Sequence, residues 1–341
     1  MASVNASGVV TAGLVSTLIP PKVASITATA AGQSIAATVL VKPPLGTYQR
    51  FDSQVRVQGQ PPAIQGGANG TVWYSEYPAT LVRIEIATGT FTRFQEGLSG
   101  TPTRMCLGPD GNLWFCERQE NKVGRVTPSG VVTEFSIPTS DSQPIDICVG
   151  PDGALWFTES GAAKLGRITT SGTLREMPTN PDPTGIAAGP DGNLWVTHGF
   201  PSSNSVSHVA PDGSNQVTLP FPIANSGPGY ICLGPDGNMW VTELQRIARV
   251  TPTGNITEFS WTSGRFIYPS DITVGADGNL WIADFEGRMV RMTPQGVFSD
   301  FAVYPAGEEP PAWITRVAAG PDGNIWFTMG GAISSVGVTG L

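Results

Sequence analysis

The phrase GPDGNLWFCE at residues 108–117 decides the fold, because six close copies of it occur elsewhere in the chain. The copies are GGANGTVWYSE (66–76), GPDGALWFTE (150–159), GPDGNLWVTH (189–198), GPDGNMWVTE (234–243), GADGNLWIAD (275–284) and GPDGNIWFTM (320–329). Successive tryptophans of these phrases are 41, 42, 39, 45, 41 and 45 residues apart. Such a period is typical of β-propeller blades. The sequence therefore predicts an all-β, seven-bladed propeller.

Each part of the repeat has a structural role. Pro-Asp-Gly indicates a tight turn, since Pro presets φ, Asp can bond nearby backbone and Gly accepts a positive φ. A short apolar strand precedes the turn, and the strand after it carries the Trp, whose ring is expected to pack between neighbouring blades. A third strand such as KVGRV and an outer strand such as VVTEF follow. We therefore predict blades of four antiparallel strands.

The ends of the repeat array predict how the ring closes. The seventh repeat stops after its third strand, at ISSVGVTGL (333–341), so its outer strand is missing. The segment GTYQRFD (46–52) is similar to the outer strand GTFTRFQ (89–95) of the first repeat. We expect it to supply the missing strand, which leaves no open sheet edge. The predicted domains are an arm at 1–44 and a propeller at 45–341.

Composition excludes several classes of function. Charged residues make up 13% of the 341 residues, and the net charge of −8 gives no basic surface for nucleic acid. No apolar run approaches the roughly 18 residues of a membrane span. The four cysteines show no CxxC spacing and no neighbouring His, so small buried thiols are the expected reading. A single Asp in each turn supplies too few oxygens for Ca²⁺. No metal site and no cofactor are predicted.

An acid and an arginine vary together across the repeats. The third residue after the Trp is an acid in five repeats, and each of these carries an Arg in the next strand, whereas repeats four and seven lack both. This joint loss favours cross-strand acid–Arg pairs over a ring of metal-binding or acid–base carboxylates. The predicted structural pairs are Glu76 with Arg83, Glu117 with Arg125, Glu159 with Arg167, Glu243 with Arg249, and Asp284 with Arg291.

The repeated GPDG-x-LWFTE, NKxGRIT and TEF segments resemble the virginiamycin B lyase family over about residues 46–341. This resemblance implies a Mg²⁺-dependent enzyme that opens the ester linkage of type B streptogramins by elimination. It also implies catalytic His and Glu residues on the sixth and seventh blades. This sequence has Ser270, Trp313, Thr315 and Gly330 at those positions, none of which replaces a proton-transfer group or a Mg²⁺ ligand. We therefore expect no enzymatic activity.

The only two histidines, His198 and His208, occupy the acid and Arg positions of the fourth repeat. Since these are the pair positions, we expect them to face each other or solvent, and the lack of a carboxylate in the repeat register argues against an active site there. A displaced active site is the alternative. Streptogramin lyase activity is not expected from either arrangement.

The arm at 1–44 has two charged residues, Lys22 and Lys42, and strand-forming residues around AAGQS that favour a hairpin. A signal peptide cleaved near Ala28-Thr29-Ala30 is the alternative. Because so apolar a hairpin is marginal in water alone, we expect it to bind other protein chains. The expected anchoring residues are Val9, Val10, Leu14, Leu18, Ile19, Ile26, Ile35, Val39 and Leu40.

These features together favour a non-enzymatic structural or recognition component of a larger assembly. The composition is similar to that of virion proteins, and by this analogy we expect a phage tail or capsid decoration protein. Its expected location is the virion, assembled in the host cytoplasm. The alternatives are a diverged Mg²⁺-dependent lyase and a secreted or cell-surface carbohydrate- or peptide-binding propeller. A host-surface or glycan ligand is possible on a propeller face, with no nucleic acid and no membrane span. Aromatic residues that break the repeat form the candidate recognition surface: Trp261, Phe266, Tyr268, Trp313, Phe200 and Tyr230.

Overall fold

The computed structural model describes residues 62–199, 201–261, 267–303, 313–329 and 332–337, and only the backbone of five strands before residue 52. Two small sheets come from the arm. Strand β1 (Ala2–Val4) pairs with β2 (Val10–Ala12), and β3 (Val23–Ala30) pairs antiparallel with β4 (Gln33–Leu40). The hairpin predicted around AAGQS is confirmed by the second pairing. The predicted anchoring side chains of the arm lie outside the described residues.

Seven four-stranded antiparallel sheets follow, each running from an innermost to an outermost strand. The first four blades are β6 (Ile64–Gly66), β7 (Thr71–Glu76), β8 (Thr80–Glu85) and β9 (Thr90–Phe94); β10 (Arg104–Leu107), β11 (Leu113–Glu117), β12 (Lys122–Val126) and β13 (Val132–Ser136); β14 (Pro144–Val149), β15 (Leu155–Glu159), β16 (Lys164–Ile168) and β17 (Leu174–Pro178); β18 (Pro183–Ala188), β19 (Leu194–His198), β20 (Ser205–Val209) and β21 (Val217–Pro220).

The remaining blades repeat this order and close the ring. They are β22 (Ile231–Leu233), β23 (Met239–Glu243), β24 (Arg246–Val250) and β25 (Ile256–Phe259); β26 (Pro269–Val274), β27 (Leu280–Asp284), β28 (Arg288–Met292) and β29 (Phe298–Ala302); β30 (Ile314–Ala319), β31 (Ile325–Met329), β32 (Ala332–Val336) and β5 (Tyr48–Phe51). Strand β5 pairs antiparallel with β32, with Phe51 opposite Ile333. The seven-bladed propeller and its closure by the N-terminal strand are confirmed.

The Pro-Asp-Gly turn fixes the Trp of the following strand as well as reversing the chain. In blade two, Asp110 accepts hydrogen bonds from Asn112 N (3.2 Å) and from Trp114 Nε1 (3.1 Å), and Gly111 has a φ of 75°. An indole N–H buried without an acceptor would be destabilising, so the Asp satisfies the one polar atom of the ring. This second role of the turn Asp is not visible from its spacing alone.

The Trp side chains form the contacts between blades, as predicted. Trp156 of blade three is fully buried against Ile186, Leu194 and Val196 of blade four. Corresponding clusters join the other blades, so the core is a ring of interblade layers. None of the described residues forms a helix that is long and apolar enough to cross a membrane.

Candidate functional site

The innermost strands place one residue per blade at the same level of the central channel. This residue lies four positions before the repeat glycine and is charged or aromatic in five of the seven blades. The set is Ala63, Arg104, Asp146, Gly185, Tyr230, Asp271 and Arg316. Arg104, Asp146 and Asp271 line a channel cavity of about 380 Å³. We call these seven residues the channel ring.

Arg104 crosses the channel and joins blades that are not neighbours. Its Nη1 and Nη2 donate to Asp271 at 2.6 and 2.8 Å, and its Nε donates to Asp146 at 3.1 Å. Burial opposes the charge, but the two carboxylates outweigh burial and hold the pKa of Arg104 above its ordinary value. The guanidinium therefore remains charged inside the channel and braces blade two against blades three and six.

Each carboxylate of this network is also held by backbone amides. Asp146 accepts from Ile147 N and Ile186 N, both at 3.0 Å. Asp271 accepts from its neighbour Ile272 N at 3.0 Å and from Val317 N of blade seven at 3.1 Å. These bonds compensate part of the cost of burying two carboxylates.

Tyr230 stands between two cations. The Arg104 guanidinium lies 3.8 Å from the ring centroid and that of Arg316 lies 4.9 Å from it. Arg316 donates to Pro62 O (2.9 Å) and Thr315 O (3.1 Å), and it forms no ion pair with any described carboxylate. Arg316 is therefore a cation oriented by carbonyls and available to a ligand.

Tyr230 and Arg316 belong to a pocket at one end of the channel. We define the entry face as the end where the innermost strands begin, at Pro144, Pro183, Pro269 and Ile314. The entry pocket, of about 400 Å³, lies there between blades five, six and seven. Its lining includes Tyr230, Glu243, Leu244, Tyr268, Ser270, Phe285 and Arg316. Aromatic and apolar walls with a few polar groups are typical of small-molecule sites.

Glu243 is the titratable carboxyl group of this pocket. Burial raises the pKa of Glu243 to about 7, and Glu258 adds to the rise, whereas the Ser226 hydroxyl and Arg246 oppose it. A carboxyl group with a pKa near neutrality can both accept and return a proton under physiological conditions. The entry pocket therefore combines an acid–base group with a cation and an aromatic wall.

Two of the six candidate recognition residues, Tyr230 and Tyr268, line the entry pocket. Trp313 is 64% exposed and lies edge-to-face with Phe285, a lining residue, at 6.4 Å between ring centroids. Trp261 instead packs on Phe298, 5.1 Å away, within the core between blades five and six. Phe200 and Phe266 lie outside the described residues. The role of the six aromatic residues in recognition stays a prediction.

Sequence reasoning missed Arg316, Phe285 and the pocket position of Glu243. A signal for Arg316 was present, because the channel-ring position carries a charged or aromatic side chain in five of the seven repeats of a mainly apolar strand. Glu243 was instead assigned to a structural pair with Arg249. Phe285 follows the repeat phrase directly and carries no distinguishing pattern.

The predicted acid–Arg pairs are wrong. In blade two Arg125 lies opposite Trp114, and Glu117 lies opposite Lys122. Neighbouring residues of a strand face opposite sides, so an acid three positions beyond the Trp lies on the other side of the blade from the arginine. The same register separates Glu76 from Arg83, Glu159 from Arg167, Glu243 from Arg249, and Asp284 from Arg291.

The arginines and acids of those pairs have other partners. Arg125 lies over Trp114 at 5.5 Å, while Arg167 and Arg291 donate to the turn aspartates Asp152 (2.6 Å) and Asp277 (2.7 Å). Burial, together with the neighbouring Glu134, raises the pKa of Glu117 to about 8. Blades four and seven, which have neither the acid nor the arginine, therefore lack two separate contacts that lie on opposite sides of the sheet.

The expectation for the histidines is also wrong. His198 is fully buried, with Nε2 2.7 Å from Ser207 Oγ and Nδ1 3.1 Å from Pro181 O. His208 stacks on Trp195 at 4.8 Å, in the place where other blades have an arginine. The two lie on opposite sides of the sheet for the same register reason. Burial lowers the pKa of His198 to about 4, so this histidine is neutral at pH 7.

The positions that the family resemblance assigned to catalysis have structural contacts here. Ser270 Oγ donates to Ile314 O at 2.8 Å and Ala283 O at 3.1 Å. The hydroxyls of Thr315 and Thr328 are 2.9 Å apart, and Trp313 is exposed beside Phe285. Gly330 lies outside the described residues. Of these residues only Ser270 lines the entry pocket.

Fold and site define a seven-bladed propeller with a pocket at one mouth of its channel. The profile of the virginiamycin B lyase family matches residues 43–182 and 176–340. The chain belongs to the virginiamycin B lyase family. A virginiamycin B lyase from Nocardia farcinica is 32% identical over 77 residues, which are 23% of this chain and 27% of that protein. One from Bordetella parapertussis is 42% identical over 50 residues, 15% of each chain.

Solved structures of such lyases cover the propeller almost completely. A streptogramin B lyase superposes with a TM-score of 0.78 at 24% identity, over 86% of this chain and 98% of the other, which shows the fold. A catalytically inactive variant of the Staphylococcus aureus virginiamycin B lyase, crystallised with quinupristin, gives 0.75 at 28% identity over 86% and 99%. The matched segments of the curated relatives span about a quarter of their length or less.

The expectation that this chain is not an enzyme is contradicted by these comparisons, since the relatives and structural neighbours are virginiamycin B lyases. The inference had relied on four inherited positions. Burial can bring a carboxyl group elsewhere in the fold toward a neutral pKa, as it raises the pKa of Glu243 to about 7, so those four positions alone do not decide activity.

The family resemblance implies Mg²⁺, whose binding depends on the donor atoms present at the site. Mg²⁺ demands near-octahedral oxygen coordination, usually from one or two carboxylates, waters and substrate. Among the described residues, Glu243 is the one carboxylate that lines the entry pocket, and it is 1% exposed. Within the described ranges no group of three His, Cys, Asp or Glu side chains is placed to hold a metal ion. The described residues of the entry pocket therefore do not fit a Mg²⁺ site.

Proposed function

We propose that the protein binds a compact peptide-like ligand with aromatic groups in the entry pocket and opens an ester bond in it by elimination. The observation that carries the proposal is the combination of Arg316, Glu243 and an aromatic wall in one pocket. The S. aureus relative with quinupristin supports a cyclic peptide ester as the ligand class.

The aromatic wall would bind and orient the ligand. Tyr230 is held by the two cations that flank it, and Tyr268 and Phe285 remain 38% and 44% exposed. Exposed aromatic rings at a pocket rim gain stabilisation when a ligand ring covers them. Trp313, beside Phe285, extends this wall beyond the pocket.

Glu243 and Arg316 would divide the chemistry of elimination between them. The Glu243 carboxylate takes the proton from the carbon next to a carbonyl, and the electron pair of that C–H bond forms a C=C double bond. The ester C–O bond breaks at the adjacent carbon, and its electrons leave with the carboxylate oxygen. Arg316 then neutralises the charge that develops on this leaving carboxylate. No water enters the products.

Two substitutions with matched controls test these roles. Glu243→Gln should lower the elimination rate by about 10²-fold or more while quinupristin still binds. Glu159→Gln is the control, because Glu159 occupies the same register in blade three, is equally buried and lies outside the pocket. Arg316→Met should weaken quinupristin binding in calorimetry, whereas the exposed Arg118→Met should not. Equal rates in both glutamine variants would contradict the proposed base.

A second candidate role concerns the arm. The sheets β1–β2 and β3–β4 are separate from all seven blades, which favours a segment that joins the propeller to other protein chains. Such an arm would suit a virion component such as a phage tail or decoration protein, or a surface-located propeller. Deleting residues 1–44 should convert an assembled species into a monomer in sedimentation velocity. Identical sedimentation with and without the arm would count against this role.

A further inference from the structure

The first blade lacks a contact that every other blade makes. In blades two to seven the Trp indole N–H donates to the turn Asp at 2.8–3.2 Å. In blade one the turn is Gly-Ala-Asn-Gly, whereas the other blades have Gly-Pro-Asp-Gly or, in blade six, Gly-Ala-Asp-Gly. Trp73 Nε1 donates no hydrogen bond to any residue in the described ranges.

A different turn geometry explains this loss. Asn69 and Gly70 have φ values of 57° and 72°, so both central residues are left-handed, as in a type I′ turn. In the other blades only the Gly of the turn has a positive φ. The Asn69 side chain is consequently exposed and does not take the place of the missing carboxylate.

The surroundings of Trp73 still resemble a carboxylate site. Arg83 lies over the Trp73 ring at 5.8 Å, and its equivalents Arg167 and Arg291 donate to the turn Asp of their own blades. Arg83 is 22% exposed; its Nε lies 3.0 Å from Glu85, and its Nη1 donates to Pro128 O. In blades three and six the indole and the arginine share the turn Asp, whereas in blade one that Asp is absent, Glu85 pairs with Arg83 Nε and the Trp73 indole has no carboxylate partner among the described residues.

The space left by the missing Asp is a cleft of about 230 Å³ between blades one and two. Its polar side is formed by Trp73, Arg83, Asn69 and Glu85, and Glu85 is the carboxylate that already pairs with Arg83 Nε. Leu107, Leu113 and Pro128 of blade two or its edge contribute an apolar wall. A volume of this size accommodates a carboxylate together with a short aliphatic group. It lies on the turn face, at the opposite end of the blades from the entry pocket.

We propose that this cleft is a second ligand site, which takes a carboxylate on a short apolar group. The ligand carboxylate accepts from Trp73 Nε1 and faces Arg83, as the turn Asp does in blades three and six. A free aliphatic acid and the C-terminus of a peptide ending in an aliphatic residue share this chemistry. The site is independent of the proposed lyase activity.

Indole ¹H–¹⁵N spectroscopy of the full chain tests the proposal directly. Titration with isobutyrate should shift the Trp73 indole resonance, assigned with Trp73→Phe, and leave the six Asp-bonded indoles unchanged. Acetate should act more weakly because it lacks the apolar body, and chloride at equal ionic strength should have no effect. N-acetyl-glycyl-leucine and its C-terminal amide distinguish the sources: the acid should bind and the amide should not if a peptide end can enter.

Paired variants provide the control. Ala68→Pro with Asn69→Asp introduces the turn sequence of blades two to five and seven and should abolish the isobutyrate shift while the protein stays folded. Pro151→Ala with Asp152→Asn should make the Trp156 indole responsive in the same way. An unshifted Trp73 resonance, an equal response to chloride, or an isobutyrate shift that persists in the Pro-Asp variant would overturn the proposal.

Discussion

Replacing Arg104 by Met tests the channel network, because Met keeps the length of the side chain and removes its charge. The change leaves Asp146 and Asp271, which are 9% and 1% exposed in their side chains, without a cationic partner. Breaking a buried ion pair at one partner costs about 3–5 kcal/mol. Each carboxylate keeps two backbone N–H donors, so we expect the lower end, about 3 kcal/mol.

Urea denaturation followed by tryptophan fluorescence measures this loss. With an m-value of about 3 kcal/mol/M, the midpoint should fall by about 1 M at pH 7. The loss should shrink toward pH 5, because burial already raises the pKa of Asp146 and a protonated carboxyl no longer carries an unpaired charge. Arg118→Met, at an exposed site, should change stability by less than about 0.5 kcal/mol.

The triple variant Arg104→Met, Asp146→Asn, Asp271→Asn distinguishes the cost of unpaired buried carboxylates from general damage to the channel. It removes all three charges and should recover most of the stability that the single variant loses. A single variant as stable as the unaltered protein, or a triple variant no more stable than the single one, would refute the reasoning.

Two further predictions concern the blades. Burial raises the pKa of Glu159 to about 8, above its ordinary 4.5, so its stabilising contribution is complete below pH 4.5 and is lost as pH rises toward 8. The free energy of unfolding should therefore fall over this window by at most about 1.4 kcal/mol per pH unit for this carboxyl, and Glu159→Gln should flatten the profile in chemical denaturation; an unchanged profile would contradict the assignment. Gly166→Ala would place a Cβ 2.0 Å from the Phe157 ring and should lower stability by about 2–3 kcal/mol. Adding Phe157→Leu should restore part of this loss in thermal unfolding, and no restoration would mean that the Phe157 contact is not the cause.

The sequence was sufficient to predict the ring, its number of blades and the closing strand, since each follows from spacing and from similarity between repeats. It did not predict which residues face each other across a hairpin. For example, Arg125 lies opposite Trp114, and this pairing depends on the exact length of the turn between β11 and β12. A shift of one residue in register moves a side chain to the other face of a strand, so joint variation alone could not identify the partners.

The candidate site was predicted only in part, through Tyr230 and Tyr268. The Arg104–Asp271 contact joins residues 167 positions apart and exists only after the ring closes. The properties of Glu243 depend on how deeply the finished pocket buries it, which repeat spacing does not reveal. Contacts and burial that arise only when the ring closes therefore cannot be predicted from the repeat pattern.

Chromatography and mass spectrometry of quinupristin incubated with the protein in H₂¹⁸O test the proposed elimination most directly. We predict a product with an open ring, a new double bond, the mass of the substrate and no ¹⁸O, at a rate that Glu243→Gln lowers and Glu159→Gln does not. Incorporation of ¹⁸O would show hydrolysis instead of elimination. Intact quinupristin after prolonged incubation would contradict the proposed activity.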